Sequence, residues 1–410
     1  MATSESARRV LLVDCDMFYV QVARLEDPEG AGREELLIVG GSPSGRGVVT
    51  SASYACRAYG VRSAMPTAEA LRLCSDAVVV GVDRGAVSRR SAEVRTALGE
   101  LSPVVQAASV DEFYLDLTGT DRLFRGETLE ASAHRIRETV LRRTRIGVSV
   151  GGGTNRLLAK LATRPAKPGG VFVVPPGGEQ AFLDGLHLSD LPGVGPALLK
   201  PLADKGLKTV AEARAVEPEW LVRWLGEGRA RWLLARLEGR DDSPVVGGEP
   251  RKSISSERTF PRDIDDDQEL DRRLLKLTVG VCATLRDKGF GARTLTVKLR
   301  DADFTTRQRS HTFPEPVESD GVVFPVAREL LHDLRRRRRA GARLLGVGLS
   351  NLTRDHGPAQ LALFEERAPH ETDRTRALNQ AVDGLRGRFG HDAVLPAGIV
   401  PPYPIPESDD

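Results

Sequence analysis

The sequence predicts a multidomain α+β protein, on three observations. The chain has 410 residues, more than one hydrophobic core usually serves. Residues 8–174 alternate short apolar runs with amphipathic stretches, as strands and helices do in an α/β or α+β domain. Residues 175–239 then turn helical with short loops, and a second mixed region follows a stretch rich in Gly, Pro and Asp at 239–250.

The apolar run from Val10 to Val13 reads as a buried strand entering a turn of acidic and aromatic residues. ELLIVGG (35–41), GVVTSASY (47–54) and DAVVVGV (76–82) read as further strands. A helix is expected from about Tyr54 and another at MPTAEALRLC, where Pro66 suits a first helical turn. PVVQAASVDEFYLDLT (103–118) reads as a β-hairpin, apolar on both arms, with acidic residues at its centre. In ASAHRIRETVLRRT, Ala133, Ile136, Val140 and Leu141 fall on one helical face. IGVSVGGG is a strand, and TNRLLAKLAT the helix after it, capped by Thr154.

LPGVGPALLKPLADKG (191–206) fits a helix-hairpin-helix, whose turn from Pro192 to Gly195 aims backbone N–H groups at a phosphate. A plain glycine turn between packed helices is the competing reading. Past the linker come KSISSERTF, a helix around LDRRLLKLTVGVCATLRDKG, and the strands TLTVKLRDADF and RLLGVGLSNL. Arg335 to Arg339 is an unbroken arginine run inside this region, either a solvated helix face or a phosphate-binding patch. Order is expected to fade after residue 351, apart from one more amphipathic helix at TDRTRALNQAVDGLRGRFG; VPPYPIPESDD reads as disordered.

Composition excludes several classes. Hydrophobic content of 40% and charged content of 28% are those of a globular chain, neither disordered nor fibrous. The four cysteines are scattered with no C-x-x-C pair, which argues against a disulfide scaffold or a zinc site. No signal peptide is evident and no run approaches the roughly 18 apolar residues of a membrane span, so a soluble cytoplasmic protein is expected. The net charge of +2 says little about nucleic acid.

The carboxylates carry the chemistry. Asp14 and Asp16 end a buried strand, and Asp111 and Glu112 are adjacent in an apolar hairpin. Several anions in one sheet are costly unless a cation neutralises them. Hard oxygen ligands favour magnesium, and a pair of Mg²⁺ ions on shared carboxylates serves phosphoryl transfer. Neighbours on a strand point to opposite faces, so Asp111 and Glu112 face the same ions only if the hairpin twists or bulges there. Acidic residues facing water at strand ends are the bland alternative. No G-x-x-x-x-G-K-[ST] is present, so a Walker-type NTPase is not supported.

VDCDMFYVQV resembles the first motif of the Y-family translesion DNA polymerases, and SVDEFYLDLT their second acidic motif. RGVVTSASYACRAYGVRSAMPTAEALRLC is similar to the finger segment of the DinB (polymerase IV) branch. GVSVGGGTNRLLAKLATRPAKPGGVFVV resembles the segment closing the palm. KSISSERTF, RDADFTTRQRS and RLLGVGLSNL resemble parts of the little finger. The likeness spans residues 8 to 366 in order.

The resemblance implies a right-hand fold: palm at 1–30 and 78–174, fingers at 31–77, a helical helix-hairpin-helix thumb at 175–240, a linker at 241–251, an α/β little finger at 252–352 and a tail at 353–410. It implies that Asp14, Asp111, Glu112 and the backbone carbonyl of Cys15 hold two Mg²⁺ ions, with Asp16 structural. Tyr19 falls on the steric gate that rejects ribonucleotides. Phe18, Tyr54, Arg57 and Lys160 match residues around the incoming nucleotide and its triphosphate, and Gly193 and Gly195 would contact the DNA backbone. Small side chains at Thr50, Ser51, Ala52 and Ser53 imply a roomy, low-fidelity site. QLALFEE resembles a sliding-clamp (β subunit) peptide, with Gln360, Leu361, Leu363 and Phe364 as its contacts. Expected partners are thus primer-template DNA, dNTPs and the clamp, with no membrane, and the chain is expected to be monomeric. The alternative is a non-catalytic clamp-bound adaptor, which the intact acidic trio disfavours.

Overall fold

The computed structural model describes residues 8–120, 126–248, 250–354, 371–390 and 393–399. The chain forms two compact units, Met1–Glu249 and Pro250–Asp410.

The first unit contains strands β1 (Val10–Cys15), β2 (Leu37–Gly40), β3 (Val49–Ala52), β4 (Val78–Val80), β5 (Val104–Ala107), β6 (Glu112–Asp116), β7 (Val148–Gly153) and β8 (Val171–Val173). Its larger sheet runs β5-β6-β1-β7-β8. The uninterrupted apolar run places β1 at the centre, buried on both faces. Alternation divides its side chains: Leu11, Val13 and Cys15 join a core with Val94, Leu98, Ile136 and Val140 of two helices, Arg84–Gly99 and Leu129–Thr144. Val10 and Leu12 face Ala159 of a third helix, Arg156–Ala166. Asp14 therefore emerges on the face of that third helix.

That helix packs on bare backbone. A Cβ at Gly151 of β7 would lie 2.2 Å from the Ala159 carbonyl oxygen and 2.4 Å from the Thr163 nitrogen. Its N-cap is Asn155, whose side chain accepts from Leu158 N–H; Thr154 instead donates to Glu179. Asn reaches the free N–H groups of the first turn one residue later than the sequence pattern suggested. In Leu129–Thr144, Ala133, Ile136 and Val140 are buried as expected, but Leu141 is exposed. It lies about 100° around the helix from Val140, beyond the edge of the buried stripe.

The smaller sheet, β3-β2-β4, closes a separate core with the helices Tyr54–Ala58 and Thr67–Leu73. Pro66 is the N-cap of the second of these, just outside its first turn. Residues 179–237 form short helices around Leu183, Leu202, Leu221 and Leu233. Within them Gly193 has φ +91 and lies under the Trp232 ring, which a Cβ would approach to 2.8 Å. Gly195 begins the helix Pro196–Ala203.

The second unit contains β9 (Ser253–Ile264), β10 (Gly291–Asp301), β11 (Thr306–Val317) and β12 (Ala342–Thr353), in the order β11-β10-β12-β9. Helices Asp267–Asp287 and Asp320–Arg337 cover one face through a core that includes Leu274, Leu285, Leu299, Val323 and Leu345. The expected late helix exists, at Asp373–Phe389. It is tied to the unit, since Glu371 accepts from the N–H groups of Glu318 and Ser319, and Arg286 pairs with Asp383 at 2.6 Å; residues 355–370, where order is expected to fade, lie outside the described residues. The clamp-like peptide from Gln360 to Phe364 and the tail VPPYPIPESDD lie outside the described residues.

The arginine run divides between bracing the fold and facing solvent. Arg335 is buried on Asp267, Arg336 and Arg337 reach Asp333, Arg338 reaches Asp301 and Asp303, and Arg339 reaches Asp267. Arg335 and Arg338 are paired with aspartates of other elements, while Arg336 and Arg337 lean on Asp333 of their own helix.

Candidate active site

One cleft in the first unit gathers the residues with chemistry. Asp14, Cys15, Met17, Phe18 and Tyr19 line it from the end of β1, and Thr50, Ser51, Arg57 and Ser63 from the smaller sheet and its helices. Asp111, Glu112 and Lys167 complete it.

Register sets the carboxylates. Asp14 on β1 lies directly opposite Glu112 on antiparallel β6, so the two side chains emerge on the same face. Asp111 precedes β6, in the turn from β5, and its carbonyl accepts from the Cys15 N–H at 2.9 Å. The acidic pair thus sits at the hairpin's turn, where strand alternation does not apply to Asp111. Ser109 braces it, donating to Asp111 and accepting from the Asp111 and Glu112 N–H groups at 3.2 and 3.1 Å.

Two ammonium groups answer this charge. Lys167 Nζ lies 2.7 Å from Asp14 Oδ1, and Lys160 Nζ lies 2.6 and 2.7 Å from the two oxygens of Glu112. Burial raises the Asp14 pKa to about 6. Lys167 opposes the rise, and the nearby Glu112 and Asp111 add to it. The trio is therefore an anionic site with cations already drawn to it.

Motif matching singles out Lys160, which pairs with Glu112 yet does not line the cleft. Lys167, which it misses, does. Lys167 lies just past the end of the helix that carries Lys160, with extended backbone, so helical spacing does not point to it. Met17 and Ser63 line the cleft without any prior signal.

Phe18 is buried in the core and forms part of the cleft floor, and the half-buried Tyr19 stands beside it with ring centroids 6.0 Å apart. Met17 adopts φ 38, ψ 48 and precedes the helix Phe18–Glu26, so that helix starts at the cleft, where its N–H groups and dipole favour an anion. Arg57 faces the cleft, with its guanidinium 5.0 Å from the Tyr54 ring centroid. Tyr54 does not line the cleft; its hydroxyl donates to Asp16 at 2.8 Å. Thr50 and Ser51 line the cleft, while Ala52 and Ser53 are buried behind it.

Among the described residues, no three His, Cys, Asp or Glu side chains are already gathered as a metal-ligand shell. The three carboxylates share the cleft without converging on one point. The donor set nevertheless fits Mg²⁺: hard oxygens only, like charges close enough to raise the Asp14 pKa, and two ammonium ions where cations are wanted.

Comparison with known proteins shows the family. Family models described as the impB/mucB/samB family and its C-terminal domain match residues 13–164 and 251–363. The chain belongs to that family, the Y-family DNA polymerases. Its relatives there are named DNA polymerase IV. One from Desulfatibacillum aliphaticivorans is 39% identical across 95% of this chain and 96% of its own length. Another from Caulobacter vibrioides is 38% identical across 93% and 92%. A solved Y-family polymerase chimera of Dbh and Dpo4 superposes with TM-score 0.75 at 26% identity, covering 84% of this chain and 99% of its own. An insertion ternary complex of Dbh DNA polymerase gives 0.60 at the same identity and coverage.

Proposed function

We propose that this chain is a DNA-directed DNA polymerase of the translesion, low-fidelity type, adding dNTPs to a primer 3′ end opposite a template with release of pyrophosphate. The observation that carries this reading is the cleft itself, where Asp14, Asp111 and Glu112 face Arg57, Lys167 and the aromatic ring of Tyr19.

Asp14, Asp111, Glu112 and the Cys15 carbonyl would hold two Mg²⁺ ions. When bound, those ions supply Lewis-acid stabilisation of the phosphoryl oxygens and lower the pKa of the attacking hydroxyl. Arg57 and Lys167 neutralise the triphosphate, with Lys160 orienting Glu112. The N-terminus of the helix Phe18–Glu26 adds its N–H groups. Tyr19 limits space at the sugar, and Thr50 and Ser51 leave room at the base. The residue ranges assigned above to palm, fingers, thumb, linker, little finger and tail are part of this reading, as are Gly193 and Gly195 at the DNA backbone. So are a monomeric state, a cytoplasmic location and clamp binding through Gln360, Leu361, Leu363 and Phe364. The adaptor alternative finds no support, because the whole acidic trio and its cations are present.

Primer extension with Mg²⁺ and dNTPs tests the chemistry. Asp111→Ala should cut the rate at least about a thousandfold, since the ligand set contributes several kcal/mol; unchanged extension rejects the assignment. Tyr19→Ala should raise ribonucleotide incorporation, and an unaltered preference removes the gate. For the clamp, Leu363→Ala with Phe364→Ala should abolish binding, and retained affinity rules the peptide out.

A further inference from the structure

Asp16 is the least explained acid near the cleft. It is 5% exposed and does not line it, yet it is saturated with donors. Oδ1 accepts from the Tyr54 hydroxyl at 2.8 Å and from Ser149 Oγ at 2.9 Å. Oδ2 accepts from the Gly169 N–H at 2.9 Å, a proton it shares with Ser149 Oγ, also at 2.9 Å, and Ser149 Oγ in turn lies 2.9 Å from Oδ2. Three separate parts of the first unit therefore meet on one buried carboxylate: the helix Tyr54–Ala58, β7, and the turn after Lys167.

Each outer contact leads to a cation in the cleft. Tyr54 lies under the Arg57 guanidinium, 5.0 Å from ring centroid to Cζ, and Arg57 Nε is held by the Ala52 carbonyl at 3.0 Å. Gly169 is two residues beyond Lys167, whose ammonium reaches Asp14 at 2.7 Å. A phenol has a single proton to donate, and here Asp16 takes it. Burial, and next the bond to Asp16, push that phenol's pKa well above its ordinary range, so it has a proton to donate at any working pH.

We propose that Asp16 is a positioning residue for the nucleotide triphosphate, orienting Arg57 through Tyr54 and Lys167 through Gly169. This rests on the polymerase reading above and deepens it: the two cations facing the triphosphate share one buried anchor.

The two arms come apart by substitution. Asp16→Ala removes both. Asp16→Asn keeps an acceptor for Tyr54 but turns an amide donor toward the Gly169 N–H, so it releases only the Lys167 arm. Tyr54→Phe cuts only the Arg57 arm. In steady-state single-nucleotide extension, Asp16→Ala should raise KM for dNTP roughly tenfold or more while kcat changes far less, because the lost bonds are to charged groups. Tyr54→Phe should raise KM in the wild-type and Asp16→Asn backgrounds and have no further effect in Asp16→Ala. A general packing defect would instead lower kcat and KM effects would add. Equal effects of Tyr54→Phe in wild type and Asp16→Ala overturn the proposal. Should Asp16→Ala fail to fold, Asp16→Asn decides alone: an unchanged KM overturns the Lys167 arm and with it the shared anchor. Wild-type protein that extends no primer sinks the polymerase reading, a result separate from either of these.

Discussion

At the scale of single residues, the free energy of the cleft is concentrated on Asp14. Its carboxyl has an ordinary value of 3.8 in the unfolded chain and about 6 in the folded one. A raised acid binds its proton more tightly in the folded state, so the stability it contributes is fully present below about pH 4 and is lost as pH rises through 6. In EDTA, Asp14→Asn should therefore be more stable than wild type at pH 7.5, by about 1–3 kcal/mol, and the gap should close as pH falls below 4. Denaturant unfolding across that range measures it. A wild type more stable than the variant at pH 7.5 would mean that Lys167 outweighs burial. The acidic residues themselves were legible in the sequence through the two motifs that carry them, since anions ending apolar runs can also simply face water. What could not be read was the answer to their charge: Lys167 is the C-cap of its helix, where helical periodicity no longer says which way a side chain points.

At the scale of elements, close approach decides where Lys160 and Lys167 stand. The helix Arg156–Ala166 carries Lys160 and ends against its C-cap Lys167, and it seats on β7 because that strand offers it glycine backbone. A Cβ at Gly151 meets helix backbone on two sides, at 2.2 and 2.4 Å, and backbone cannot rotate away as a side chain can. Gly151→Ala should thus lower the melting temperature by several degrees through overpacking. Gly280, inside the helix Asp267–Asp287 with nothing near its would-be Cβ, should respond in the opposite sense, since alanine is the better helix former by roughly 0.5–1 kcal/mol. Melting curves of both variants check the pair; a neutral Gly151→Ala would show that the helix can slide on β7. The same contrast explains which elements the sequence disclosed. β1 and β7 announce themselves as apolar runs. The helix Arg84–Gly99 buries Ala86, Val87, Val94, Ala97 and Leu98 between arginines and serines, too sparse a stripe to stand out. β11 buries only Phe313 and Val317 of its twelve residues, so alternation hardly marks it. The helix Asp320–Arg337 contains Pro325, which reads as a break.

At the scale of the whole molecule, charge is spent internally before it is offered to a partner. Lysines and arginines number 59 against 57 acids, and the run from Arg335 to Arg339 shows how so balanced a chain can still present a basic face. Arg335 is 4% exposed in its side chain, braces Asp267 and donates to the Asp265 and Ala340 carbonyls, so it is structural: Arg335→Ala strands those carbonyls and should cost about 1–3 kcal/mol. Arg336 and Arg337 differ. Their side chains are 71% and 62% exposed and both lean on Asp333, which Arg309 also reaches at 3.2 Å. Three cations on one carboxylate leave positive charge over, and exposed ion pairs of this kind hold little free energy, so a phosphate can draw the outer arginines away. Replacing Arg336 and Arg337 together by alanine should leave the melting temperature unchanged and weaken binding of primer-template DNA. The dependence of log affinity on log salt should also become shallower, by up to about 2 if both arginines release a counterion. Measured across a salt series, an unaltered slope with weaker binding would place the loss elsewhere than at phosphates, and an unaltered affinity would make the entire run a brace for the fold.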